Sequence, residues 1–88
     1  MKKIDAGLKI IEKLITKYPE NNDLLNYRAF WLQYLNREDD ALKQIQDLIK
    51  IEPDNATYHD TYGEILMFFN KYIHAIKEFS KTLELSTD

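Results

Sequence analysis

The stretch LITKYPENN runs from Leu14 to Asn22, and LIKIEPDNA follows from Leu48 to Ala56. Each holds an apolar pair, a charged stem, a proline, an acidic residue and asparagine, and Pro19 and Pro53 stand 34 residues apart. Around them the apolar residues keep helical spacing. Ile4, Leu8, Ile11, Ile15 and Tyr18 recur at intervals of three and four, which puts them on one side of a helix. Breaks at Pro19 to Asn22, Asn36 to Asp40 and Pro53 to Asn55, with a softer one at Asn70-Lys71, divide the chain. The pattern predicts five helices, near 4–18, 22–35, 39–52, 56–69 and 73–86. Their short connections predict antiparallel packing of neighbours.

Composition narrows the function classes. Eighty-eight residues, 44% of them apolar, suit one small globular domain, which buries about 60–65% of its unfolded surface. Two glycines and two prolines are too few for a phosphate-cradling glycine loop or a β-meander. The absence of cysteine excludes a disulfide framework and a thiolate metal site. No apolar run approaches the roughly 18 residues of a membrane span, and the N-terminus lacks the apolar core of a signal peptide. The expectation is a cytoplasmic protein that does not enter a membrane. The net charge of −3 is uneven: residues 1–19 carry +3 and residues 20–88 carry −6. Overall acidity opposes binding to nucleic-acid phosphates, which needs clustered Lys and Arg. Lys9, Lys43 and Lys77 form a column, but Glu12, Asp47, Glu78 and Glu84 interrupt it, so it reads as a solvated face.

The echo extends beyond the two prolines. At an offset of 34, Gly7, Ala41 and Ala75 fall together, as do Leu8, Leu42 and Ile76, then Ile11, Ile45 and Phe79, then Ile15, Ile49 and Leu83. Ala29 matches Gly63, Leu32 matches Leu66, and Leu35 matches Phe69. Two helices per 34-residue period resemble the tetratricopeptide repeat family over nearly the whole chain. The resemblance implies an all-α, right-handed solenoid of antiparallel helix pairs in a single domain. Residues 1–21 would be an orphan second helix, with 22–55 and 56–88 as complete repeats. Three slots depart from the family pattern: Leu25 and His59 replace its tryptophan, Arg28 and Tyr62 its leucine, and Leu14, Leu48 and Thr82 a small residue. The implied function is non-catalytic protein–protein interaction.

On a helical wheel, Leu25, Ala29 and Leu32 face the partner helix, and Asp23, Tyr27, Phe30 and Tyr34 lie opposite, flanked by Asn26 and Gln33. The later arc is Thr57, Thr61, Glu64 and Phe68, flanked by Asp60 and Met67. In the family this arc lines a concave groove for a peptide or partner helix, where large aromatics serve as anchors. The alternative is that Tyr27, Phe30 and Tyr34 complete the packing between helices. The positions of the family's carboxylate clamp hold Asn26, Phe30, Thr57 and Thr61. None is a cation, so the clamp is missing. Asp23, Asp60 and Glu64 favour a basic or apolar partner.

His59 and His74 fit neither a zinc-protease pair nor a facial triad, and Ser80 and Ser86 have no neighbouring base or glycine elbow. No catalytic residue, metal or cofactor is therefore expected. A rival reading is self-association as a homo-dimer through the first helix. Ile10 stands where the later repeats have Gln44 and Glu78, and Leu14 where the last has Thr82. Apolar residues at such outward positions often mark an interface.

Overall fold

The computed structural model describes residues 2–87. Those residues form five helices: α1 (Lys2–Lys17), α2 (Asn22–Tyr34), α3 (Glu38–Ile51), α4 (Ala56–Phe68) and α5 (Tyr72–Ser86). The prediction of an all-α chain with five helices stands, each boundary shifting by a few residues at most.

The echoed stretches become turns with shared chemistry. Proline cannot continue a helix because it lacks an amide proton, and α1 and α3 end just before Pro19 and Pro53. The asparagines then start the next helix. The Asn21 side chain accepts from the amides of Asp23 (3.0 Å) and Leu24 (3.3 Å), and Asn55 Oδ1 accepts from Tyr58 N–H at 3.3 Å. Each bond satisfies one of the amides left free at a helix start. A second pair of asparagines ends α2 and α4. Asn36 and Asn70 have φ of 59° and 64°, the left-handed conformation that closes a helix and that asparagine tolerates. The amides that follow turn back in the same way: Arg37 donates to Leu32 O (3.2 Å) and Lys71 to Leu66 O (2.8 Å). In α3 the acids Glu38, Asp39 and Asp40 occupy the first turn, where they complement the positive end of the helix dipole.

Packing corrects the tetratricopeptide resemblance. Helices α2, α3 and α4 all touch one another, while α1 packs on α2 and α5 on α4. The core is therefore a three-helix centre with two flanking helices. Ala29, Leu32, Ala41, Ile45, Leu48 and Ile65 fill it, each 0–1% exposed. The Cα radius of gyration is 13.0 Å, close to the roughly 12 Å of a compact domain of this length. The described residues thus form a compact globule with mixed helix contacts, and the expected right-handed solenoid of antiparallel repeats is not what they build. The physical reason lies in how the period is used. Positions matched at the 34-residue offset are not buried alike: Leu8 is 6% exposed where Ile76 is 63%, and Ile49 is half-buried where Leu83 is 66% exposed, so the echo does not make one packing unit that repeats.

Two glycines fix the flanking helices. A Cβ on Gly7 would lie 2.7 Å from the Trp31 ring, and one on Gly63 would lie 2.6 Å from the Phe79 ring. These approaches join α1 to α2 and α5 to α4 by laying an aromatic ring on a bare backbone.

Candidate interaction surface on α2 and α4

Phe30 and Tyr34 lie one turn apart on α2, and Glu64 and Phe68 one turn apart on α4. Because α2 and α4 touch, these four side chains line one hollow of about 310 Å³, together with Gln33 and Met67. The rings form a chain of edge-to-face contacts. Phe30 and Tyr34 have centroids 5.4 Å apart at 79°, Tyr34 and Phe68 5.6 Å at 81°, and Phe68 and Phe69 5.0 Å at 78°. Such pairs contribute about 0.5–1.5 kcal/mol each beyond area burial, so the rings are held in place. Tyr34 nevertheless remains 37% exposed and Phe68 44%.

The electrostatics of the hollow are one-sided. Burial raises the Glu64 carboxyl above its ordinary pKa, and the charge of Asp60 one turn earlier adds to the shift. The ion pairs among the described residues use Glu12, Glu38, Asp40, Asp47, Glu78 and Glu84. Asp23, Asp60 and Glu64 have no cationic partner among the described residues.

The other residues of the expected arc are placed differently. Asp23, Tyr27, Thr57 and Asp60 are exposed on α2 and α4 but do not line the hollow. Asn26 and Thr61 are buried, at 8% and 6% exposure, which turns them toward the packing. Asn26 Oδ1 is buried without a hydrogen-bond partner. Gln33 and Met67 belong to the lining, although the wheel placed them only on its flanks. Their signal was the three-residue spacing from Phe30 and Glu64, which keeps them on the same side of a helix.

His59 is a structural bridge. Its Nε2 lies 2.7 Å from Pro53 O, and its Nδ1 lies 3.1 Å from Glu78 Oε1, which ties α4 to the preceding turn and to α5. Beside it, Tyr58 Oη donates to Glu52 Oε2 at 3.0 Å. Burial, reinforced by that carboxylate, pushes the Tyr58 phenol up to about 12. Among the described residues no group of three His, Asp or Glu side chains is arranged to hold a metal ion. On α1, Ile10 is 60% exposed and Leu14 38%. Among the described residues no helix is long and apolar enough to cross a membrane.

Compared with known proteins, the chain matches no protein-family model and no curated protein. The tetratricopeptide resemblance therefore finds no support outside the chain, in agreement with the packing.

Proposed function

We propose that the chain is a non-catalytic protein-interaction module that docks a peptide or a partner helix across α2 and α4. The observation behind this reading is the hollow in which Phe30, Tyr34 and Phe68 stay partly open to water while their rings brace one another. Rigid aromatics with little conformational entropy to lose are the usual anchors of an interface. No positive side chain lines the hollow, so the proposal does not include capture of a terminal carboxylate. A cytoplasmic setting is part of the same proposal. The test compares Tyr34→Ser and Phe68→Ser with the parent chain as baits in a quantitative pull-down. Partners captured by the parent are lost from both variants while circular dichroism shows unchanged helicity. Partners retained by both folded variants would overturn the reading.

A second reading, self-association through α1, is favoured by the exposure of Ile10 and Leu14 on a helix that packs against α2 alone. Light scattering over a concentration series tests it. A dimer that becomes monomeric on Ile10→Glu with Leu14→Gln supports it, and a parent chain that stays monomeric at several hundred micromolar, roughly the weak-binding range, removes it.

A further inference from the structure

The hollow between α2 and α4 combines three features. Phe30, Tyr34 and Phe68 supply ring faces and edges, the Glu64 carboxylate supplies a negative charge, and Met67 supplies a polarizable apolar wall. At about 310 Å³ it lies at the small end of ligand pockets, which run from about 300 to 1,000 Å³. That size suits one long side chain with some of its backbone.

We infer that this hollow receives the cationic side chain of a lysine or arginine carried on a partner peptide. The inference rests on the reading of α2 and α4 as a docking face and adds the chemistry of the residue that docks. A lysine or arginine has an apolar stem and a charged head. The stem fits against Phe30, Met67 and Phe68, and the head is attracted both to the ring faces and to the carboxylate.

The charge of the protein points the same way. Asp60 lies one turn from Glu64 on α4, Asp23 lies in the first turn of α2, and none of the three has a cationic partner among the described residues. Arg28 of α2 is turned toward α3 and α1, with Gln44 at 3.0 Å and Glu12 at 3.6 Å, and does not line the hollow. Partial burial and then the charge of Asp60 raise the Glu64 carboxyl above its ordinary pKa, so its negative charge carries a cost. An incoming cation would relieve that cost, whereas an acidic side chain would add to it.

The experiment is a selection of random peptides displayed on phage against the intact chain, followed by binding measurements on synthetic peptides from the enriched clones. Enriched peptides carry a lysine or arginine between apolar residues. Replacing that residue by citrulline or norleucine weakens binding at least tenfold, and Glu64→Gln weakens it on the order of tenfold, as expected for a close charge pair. Raising the salt concentration weakens binding to the parent chain more than binding to the Glu64→Gln variant. Phe68→Leu, which keeps an apolar wall and removes the ring, separates cation–π contact from simple burial and also weakens binding. Enriched peptides that compete for the same face but tolerate citrulline would overturn the cation and leave the docking face standing. A selection that yields no peptide sensitive to Phe68→Ser or Tyr34→Ser would overturn both.

Discussion

Gly63→Ala probes the contact that attaches α5 to the rest of the molecule. In an exposed helix this change stabilises by about 1 kcal/mol, because alanine is the better helix former. Here the new Cβ would lie 2.6 Å from Phe79 Cε1, 2.7 Å from Cδ1 and 3.0 Å from Cζ. One whole edge of the ring must retreat by about 1 Å to reach an ordinary carbon–carbon contact near 3.5 Å. Phe79 is only half-buried, and among the described residues α5 packs chiefly on α4, so the strain can be released either by turning the ring or by lifting the helix. Both routes lose packing along α4 and α5. Overpacking of this kind costs about 1–3 kcal/mol, and set against the propensity gain it leaves a net loss of about 0–2 kcal/mol. In a domain of this size that corresponds to a Tm lower by up to about 15 °C. Urea unfolding followed by circular dichroism measures it, with Phe79→Leu and the double variant completing a cycle. In the Phe79→Leu background the same alanine should be neutral or stabilising, giving a coupling energy above about 1 kcal/mol. If Gly63→Ala raises the stability of the otherwise unchanged chain by the full helix-propensity increment, the ring-on-backbone packing is wrong.

Other perturbations test separate parts of the structure. Tyr58 is held neutral in the fold, with its pKa raised from 10.0 to about 12. Its stabilising share is complete below pH 10 and is lost as pH rises through about 12. Ultraviolet titration should show a late phenol that Tyr58→Phe removes; a titration curve whose high-pH end is unchanged by Tyr58→Phe would refute this. The raised Glu64 carboxyl has the same sign: its favourable share is complete below its ordinary value of 4.5 and is lost as pH rises through the folded value. Glu64→Gln should therefore raise the unfolding midpoint at neutral pH and lose that gain in acid, and a gain that persists below pH 4 would contradict the stated cause. Asn26→Leu removes a buried amide oxygen that has no partner and should stabilise the chain by about 1 kcal/mol, read from the same denaturation curves. A loss of stability would show that the oxygen is satisfied.

The helices were legible because their signals are local. Stripes such as Leu8, Ile11 and Ile15, together with the two prolines, fix where helices run and stop, and these depend only on near neighbours in the chain. The way the helices close on each other was not legible. Whether α2 reaches α4 depends on the sizes of side chains far apart in sequence, and a repeat in turn residues says little about that. The glycines illustrate the difference. Gly7 and Gly63 can be read as small residues, but the rings that cover them, Trp31 and Phe79, lie 24 and 16 positions away. Within the candidate site, the shared side of Phe30 and Tyr34 and of Glu64 and Phe68 was legible from their helical offsets. The burial of Asn26 and Thr61 was not, because it is decided by the neighbouring helix and not by their own.

The proposed docking face can be tested most directly through a single methyl group. The chain has two methionines, Met1 and Met67, and Met67 lines the hollow beside Phe68 and Glu64. Carbon-13 labelling of the methionine methyls gives a spectrum simple enough to assign with Met67→Leu alone. Titrating a selected peptide or a captured partner into the labelled chain should shift or broaden the Met67 signal in step with complex formation. A complex that forms while the Met67 methyl stays unchanged would place the partner elsewhere and contradict the account.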